Sequence, residues 1–300
     1  MLFCGRPIPV DAPVVVWTEP PYFDAHRARP RFDPTAAAGT EPRYRMERKI
    51  EDALLAARLE DVATTTPGGT AAAELLAEAV ELVVLHYDAC GNSRACFRVL
   101  HDERGLSCHF LLDLDGTIYQ TLDLRHQAWH ARQANPRSIG IEIAHVGAAG
   151  DEGRLERHYE RDAKGLRQRL SADASLRIAD FVARPARGGD VPLAGEIHGE
   201  SLVQYDFTAE QYASLEALVA ALVEAFPRLE LRIPRAADGS VRHDVLSDEE
   251  LRAFRGVIGH YHVTEQKVDP GPAFDWEGFL ARSQARLTQA RLTQEAGRRP

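Results

Sequence analysis

The chain has little cysteine, and its few thiols form no recognisable framework. Its 300 residues include four cysteines, which are Cys4, Cys90, Cys96 and Cys108. A zinc ribbon is excluded because no C-x-x-C pair is present. Cys90 and Cys96 are near enough in the chain to pair across a five-residue loop, and four reduced, buried thiols are the alternative. The lack of a visible secretory signal favours reduced thiols.

Long apolar runs and an excess of positive charge are also missing. No stretch of about 18 apolar residues is present, which argues against a membrane-spanning helix. The 36 Lys and Arg residues are outnumbered by 45 Asp and Glu residues, and the net charge of −9 argues against nucleic acid as the main partner. The first residues lack a basic region followed by an apolar core, so no secretory signal peptide is visible. We therefore expect a cytoplasmic protein, with an envelope or extracellular location left open through another export route.

Changes in composition along the chain indicate one main domain with an N-terminal extension, an internal insertion and a C-terminal tail. Residues 1–78 are interpreted as an N-terminal extension, proline-rich in its first half, that packs on the core. Residues 79–282 form the main domain. Within it, residues 147–205 are rich in charge and are interpreted as an insertion of loops, with a helix around 155–170. Residues 283–300 are predicted to form a basic helical tail.

Apolar runs and a turn signal predict four strands, two of them in a hairpin. Residues 81–86 are predicted to form a buried strand that ends in a histidine. Residues 108–122 are predicted to form a β-hairpin, because Asp115 and Gly116 between two apolar runs favour a two-residue turn in which both have positive φ.

The fourth predicted strand, over residues 138–145, has isoleucines at alternate positions. Three isoleucines share one face, and Glu142 stands on the other with a glycine and an alanine. Successive side chains of a strand point to opposite faces of the sheet. The pattern therefore directs the carboxylate of Glu142 away from the isoleucines and toward polar surroundings.

Helices are predicted from a 3.6-residue apolar period and from capping residues. The period predicts helices over 43–59, 71–80, 94–104 and 206–226. Thr208 is the expected N-cap of the last helix, and Gln211 three residues on completes a capping box.

Residues 259–272 carry the strongest chemical signal in the chain. They bring His260, Lys267 and Asp269 together on a segment that contains two prolines and two glycines. Imidazole and carboxylate are ligands suited to Zn²⁺, and a lysine beside them can hold developing negative charge. His86, at the end of the first predicted strand, is the candidate third ligand. Two histidines and one aspartate leave a fourth position open for water, which is typical of a catalytic zinc site.

Several further segments follow one another in an informative order. They are 83–86, 105–110, 115–120, 128–131, 138–142 and 259–272, together with Asn135. In this order they resemble the motifs of the zinc-dependent N-acetylmuramoyl-L-alanine amidases. That family includes the cytoplasmic AmpD amidase, phage amidase lysozymes and animal peptidoglycan recognition proteins. The resemblance, which covers about residues 81 to 280, implies an α/β fold in which helices flank a central mixed β-sheet.

The resemblance also implies roles for particular residues. His86, His260 and Asp269 match the zinc ligands. Glu142 matches the general base that takes a proton from water, and Lys267 matches the group that helps to stabilise the oxyanion.

Two more positions match residues that lie beside the substrate in such amidases. They are His130 and Asn135, the latter as a contact to the muropeptide. The substrate implied is peptidoglycan or a muropeptide, and the bond cleaved joins N-acetylmuramic acid to L-alanine.

Departures from the family pattern sharpen the subtype and leave the compartment open. Cys108 stands where phage lysozymes carry a catalytic tyrosine, and Glu142 is present instead, as in AmpD-type sites. In contrast, Cys90 and Cys96 resemble a disulfide of secreted recognition proteins.

A recognition module that binds muropeptide without cutting it is the main alternative function, and an exported lytic effector is another.

Overall fold

The computed structural model of the protein describes residues 1–27, 30–32, 46–65, 70–172, 174 and 176–297. Within these residues the strands are β1 (Leu2–Phe3), β2 (Arg6–Pro7), β3 (Val14–Val16), β4 (Met46–Glu47), β5 (Leu82–Tyr87), β6 (Phe110–Leu112), β7 (Ile118–Gln120), β8 (His126–Gln127), β9 (Ser138–Ile143), β10 (Tyr159–Asp162), β11 (Gly165–Gln168), β12 (Leu193–Ile197), β13 (Glu200–Gln204) and β14 (Gly256–Gly259).

The α-helices of the described residues are α1 (Ala53–Thr65), α2 (Thr70–Ala77), α3 (Ser93–Phe97), α4 (Gly153–Glu156), α5 (Ala209–Ala225), α6 (Asp248–Ala253) and α7 (Trp276–Gly297). Helix α3 continues as a π-helical segment, Arg98–Glu103, and short 3-10 helices cover Arg132–Arg137 and His260–His262. None of these helices is long and apolar enough to cross a membrane.

A central sheet of the described residues has the strand order β14-β5-β9-β6-β7-β3. Strands β14, β5, β9 and β6 run parallel to one another, β7 is antiparallel to β6, and β3 is parallel to β7. The sheet is therefore mixed. Strand β3 comes from the N-terminal extension, so the extension supplies an edge strand as well as packing.

Apolar side chains on both faces of the parallel strands explain why helices cover both sides. On one face, Val83 and Leu85 of β5 and the isoleucines of β9 pack with residues of α5 and α7. On the other face, Leu82 and Val84 pack with Leu251 of α6. A parallel sheet buried on both faces reads as a nearly continuous apolar run, as residues 82–85 do. The predicted α/β fold with a flanked mixed sheet is confirmed.

Strand register places the polar residues of the site next to each other. His86 of β5 pairs directly with Glu142 of β9, and Gly259 of β14 pairs with Leu85. Because β14, β5 and β9 are parallel, their carboxyl ends meet at one edge of the sheet, where ligand sites of such sheets commonly lie. His260, the residue after β14, therefore lies beside His86.

The capping box predicted at the start of α5 is present in the structure. The Oγ1 of Thr208 accepts from the amide of Gln211 (3.1 Å), and the Gln211 side chain accepts from the Thr208 amide (3.0 Å), which confirms the capping box.

The hairpin over 108–122 is confirmed, but its predicted two-residue turn is wrong. Gly116 has φ +79 and Asp115 does not have positive φ, because the connection spans residues 113–117.

The helix predicted over residues 43–59 begins later in the structure. Of the helix over 43–59, residues 43–45 lie outside the described residues, Met46–Glu47 pairs with β8, and α1 begins only at Ala53. Asp52 sets this start, because its Oδ1 accepts from the amides two and three residues further on, at 3.0 and 3.1 Å.

The insertion over 147–205 contains hairpins where a helix around 155–170 was expected. Helix α4 ends at Glu156, and β10 then pairs antiparallel with β11. Gly165 opens β11 with φ +110, a backbone conformation that glycine adopts readily. A second hairpin joins β12 to β13 and is tied to the start of the insertion, because Val203 and Ala149 exchange two backbone hydrogen bonds.

Candidate metal centre and active site

Three buried side chains converge at the carboxyl edge of the sheet. The Nδ1 of His86 lies 2.9 Å from Oδ2 of Asp269 and 3.0 Å from Nδ1 of His260, and the latter is 3.0 Å from the same Oδ2. All three residues are buried. They come from β5, from the residue after β14 and from the loop that follows, and the predicted trio is thus brought together.

The trio has the donor set of a zinc site. Three electron-pair donors facing one point are best satisfied by a shared cation, and two imidazole nitrogens with one carboxylate oxygen suit Zn²⁺. Burial, with His260 beside it, lowers the pKa of His86 to about 4. For Asp269, burial alone would raise the pKa, but His260 and His86 lower it below its usual value. Both groups are therefore in the metal-binding protonation state at neutral pH.

Residues 259–272, the ligand loop, are closed on themselves. The amide of Tyr261 donates to the carbonyl of Asp269 (3.2 Å). A Cβ at Gly259 would come within 2.7 Å of the Pro270 ring, so glycine allows the two ends of the loop to touch. This closure keeps His260 and Asp269 on one side of the loop, although nine positions separate them in the chain.

Glu142 and Lys267 line the same cleft as the trio. Glu142 is only 8% exposed, and burial, followed by the charges of Asp269 and Asp88, raises its pKa well above the usual value. A carboxylate with a raised pKa is a better proton acceptor, which suits a general base. The alternation of β9 predicted this orientation correctly, since the isoleucines lie on the opposite face.

The cleft has a volume of about 720 Å³ and two kinds of wall. Val99, Leu100 and Leu106, from the segment around α3, make one side apolar. Arg104, Arg132 and Lys267 supply positive charge.

Cys90 and Cys96 also line the cleft, as free thiols. Burial raises the pKa of Cys90 to about 12 and that of Cys96 well above its usual value, so both thiols remain protonated near neutral pH. The structure thus has reduced thiols at both positions, the alternative that the sequence favoured.

Comparison with known proteins identifies the family. Residues 76–272 match the family model of the N-acetylmuramoyl-L-alanine amidases, which is well over half of the chain. The chain belongs to this family. No curated protein sequence matches the chain.

Several solved amidase structures are similar to this family member. AmiD from E. coli, in complex with anhydro-N-acetylmuramic acid-L-Ala-D-γ-Glu-L-Lys, is 18% identical, with 68% of this chain and 57% of AmiD covered and a TM-score of 0.37. An AmpD structure is 20% identical over 70% of this chain and 85% of AmpD, with a TM-score of 0.32. LysC from Clostridium intestinale is 18% identical, with coverage of 69% and 87% and a TM-score of 0.37. The chain spans little more than half of AmiD.

His130 contacts His86, a candidate metal ligand, and also lines the cleft. Its Nδ1 is 2.9 Å from Nε2 of His86, and its Nε2 is 3.1 Å from Oγ of Ser138. Burial, followed by His86, lowers the pKa of His130 well below its usual value, so the ring is neutral. A neutral His130 accepts from Nε2–H of His86 and donates to Ser138. It therefore orients His86, and the substrate contact predicted from the sequence stays a prediction.

We expect His130→Ala to weaken zinc binding by about 10- to 100-fold, since that is the usual cost of losing the partner that orients a metal ligand. Competition with a chromogenic chelator measures this affinity. If zinc affinity stayed at the wild-type value and only KM rose, His130 would serve the substrate alone.

Asn135 is not brought to the cleft surface. It is 1% exposed, and its Oδ1 accepts from the amides of His130 (3.1 Å) and Ala131 (2.6 Å). These bonds fix the turn that carries His130. A contact between Asn135 and the muropeptide stays a prediction, and the placement of its side chain indicates support of the turn.

Two supporting residues were missed at the sequence level. Arg48 is buried and donates to four backbone carbonyls, those of Leu124, His126, Pro136 and Ser138. Asp88 accepts through Oδ1 from the amides of Cys90 and Gly91 (2.9 Å each) and of His145 (3.0 Å). Asp88 thereby joins the ends of β5 and β9. Its place just after a strand and three residues before Gly91 was an available signal of a turn, whereas the sequence around Arg48 offers none.

His109, next to Arg48, gives the fold a measurable pH dependence. Its Nδ1 accepts from the amide of Gly140 (3.1 Å) and its Nε2 donates to the carbonyl of His126 (3.0 Å). Burial, followed by Arg48, lowers the pKa of His109 to about 3. The unfolded chain takes up this proton near pH 6.5, so the stabilisation is complete above that pH and is lost as the pH falls toward 3.

We expect His109→Gln, which keeps one acceptor and one donor, to reduce the loss of unfolding free energy between pH 7 and pH 4 by about 3 kcal/mol. Urea unfolding of the wild type and the variant at both pH values measures this loss of free energy. Other buried histidines leave some pH dependence in the variant. An unchanged loss of free energy would contradict the assignment.

Proposed function

We propose that the protein hydrolyses the amide bond between N-acetylmuramic acid and L-alanine in peptidoglycan or muropeptides, with zinc held by His86, His260 and Asp269. The convergence of these three side chains within 3.0 Å at the same sheet edge as Glu142 carries the proposal. Membership of the amidase family supports the substrate class.

His86, His260 and Asp269 would hold the zinc ion, whose Lewis acidity would polarise the scissile carbonyl and make water easier to deprotonate. Glu142 is the group to which we assign the proton transfer. Its carboxylate takes a proton from the attacking water and, once protonated, can return it to the nitrogen of L-alanine as that bond breaks. The raised pKa of Glu142 suits both halves of this cycle.

Lys267 is the proposed electrostatic partner of the developing oxyanion. It lines the cleft together with the three ligands, and its backbone is fixed by a hydrogen bond from its amide to Thr264 (3.2 Å). An ammonium held beside a carbonyl oxygen stabilises the negative charge that appears only in the transition state.

Binding without cleavage is the competing function. The lining of the cleft supports this alternative, because its apolar and positively charged groups suit an acidic peptide. A purely binding module, however, has no need of a complete ligand trio with Glu142 and Lys267 beside it. The cytoplasmic location stays a prediction, and polymeric peptidoglycan and soluble muropeptides are alternative substrates.

The test uses zinc-loaded and chelator-treated protein, each given isolated sacculi and soluble N-acetylmuramoyl peptides. Mass spectrometry identifies the products. We expect free stem peptides from at least one substrate, only with metal, and their recovery when zinc is restored. Substrate binding with no products from the zinc-loaded protein would favour the recognition module.

A further inference from the structure

The β12–β13 hairpin of the insertion contacts the ligand loop through a buried amide. Gln204, at the end of β13, is fully buried. Its Nε2 donates to the carbonyl of Pro270 (3.0 Å), and its Oε1 accepts from the amide of Ala273 (3.0 Å). Gly271, between them, has φ +90 and is so near that a Cβ there would lie 2.1 Å from Oε1 of Gln204. One side chain thus fills the turn directly after the ligand Asp269.

The tip of the same hairpin reaches the other flank of the ligand. Nε2 of His198 donates to the carbonyl of Lys267 (3.0 Å), two residues before Asp269. Midway along the hairpin, a Cβ at Gly195 would lie 2.9 Å from Cβ of Pro272, so the two backbones are in close contact. The hairpin therefore touches the loop before, just after and further beyond Asp269.

A further insertion residue completes the attachment. Arg187 donates to the carbonyl of Ala273, whose amide is already held by Gln204. The guanidinium is itself fixed by Asp206, with Nε 2.8 Å from Oδ2. The backbone of Ala273 is thus bound on both sides by residues at or near the insertion.

We propose that the β12–β13 hairpin positions the metal centre: Gln204, assisted by His198, holds the backbone on both sides of Asp269 and so sets the zinc affinity. The proposal rests on the zinc site of the proposed function. Groups that orient a metal ligand strengthen binding because less conformational freedom is lost when the metal arrives. Gln204 and His198 are positioning residues, since neither contacts the ligand atoms. The insertion is then part of the metal centre rather than an addition to the surface.

Gln204→Met tests the proposal, because methionine keeps the length of the side chain and removes both hydrogen bonds. The matched control is Gln120→Met. Gln120 is equally buried and also joins backbone groups, accepting from the amide of Leu2 (2.7 Å) and donating to its carbonyl (2.8 Å), but it does not line the cleft. His198→Ala, at the partly exposed tip, is a second variant with little risk to folding.

Zinc affinity is measured by competition with a chromogenic chelator, and the visible spectrum of the Co²⁺-loaded protein reports the ligand geometry. We expect Gln204→Met to bind zinc about 10- to 100-fold more weakly with an altered cobalt spectrum. His198→Ala should be about threefold weaker, and Gln120→Met should match the wild type in both readouts. Wild-type affinity and spectrum in folded Gln204→Met and His198→Ala would overturn the proposal. Failure of the wild type to bind zinc would instead overturn the proposed function.

Discussion

Replacing Glu142 with glutamine is expected to lower kcat by roughly 100- to 10,000-fold while zinc remains bound. The amide has nearly the volume of the carboxyl group but cannot accept the proton of the attacking water. Because His86, His260 and Asp269 are unchanged, the zinc affinity should change little. Turnover of an N-acetylmuramoyl peptide and zinc content, measured on the same preparation, test the prediction.

Glu216→Gln is the matched control for this substitution. Glu216 is also a buried glutamate, but its carboxylate lies on α5 and contacts Arg282 at 2.6 Å and Arg286 at 3.6 Å. The control should keep wild-type turnover and lose some stability. If Glu142→Gln retained full turnover with zinc bound, another group would have to act as the base.

Removing one zinc ligand should have the other large effect. We expect His260→Ala to lose stoichiometric zinc and to reduce turnover to the background rate, because two remaining ligands cannot hold the ion at micromolar concentration. Without zinc, the scissile carbonyl is no longer polarised and water no longer has a lowered pKa. Metal analysis after gel filtration and the product assay measure the two effects.

His101→Gln provides the comparison for a buried histidine that is outside the trio and does not line the cleft. Its Nδ1 lies 2.7 Å from Oδ1 of Asp102, and its Nε2 donates to the carbonyl of Arg27 (3.0 Å). This variant should keep about one zinc per chain and most of the turnover. Equal zinc content in His260→Ala and the wild type would show that the trio is not the metal site.

The parts of the site that lie on short, regular segments were predictable from sequence. The apolar run of β5 placed His86 at a strand end, and the alternation of β9 set the orientation of Glu142. The ligand loop carries His260 and Asp269 within ten positions, so their proximity required no knowledge of the fold. Local periodicity and spacing determine such features, and the structure agrees with them.

Features that depend on distant contacts were not predictable. The hydrogen bonds of Gln204 to the ligand loop join residues more than 60 positions apart, and nothing in the local sequence indicates them. Arg48 binds carbonyls of segments about 80 positions away. The hairpin of β10 and β11 was mistaken for a helix because its residues are mainly charged and lack the alternation of a half-buried strand.

The position of the cleaved bond tests the proposed activity most directly. The zinc-loaded protein is incubated with N-acetylmuramoyl-L-Ala-D-iGlu in water enriched in ¹⁸O, and both products are analysed by mass spectrometry. We expect a dipeptide with a free L-alanine amino group, and N-acetylmuramic acid with ¹⁸O in its lactyl carboxylate. Cleavage at the L-Ala–D-iGlu bond, or no cleavage of this substrate or of sacculi by the zinc-loaded protein, would contradict the proposal.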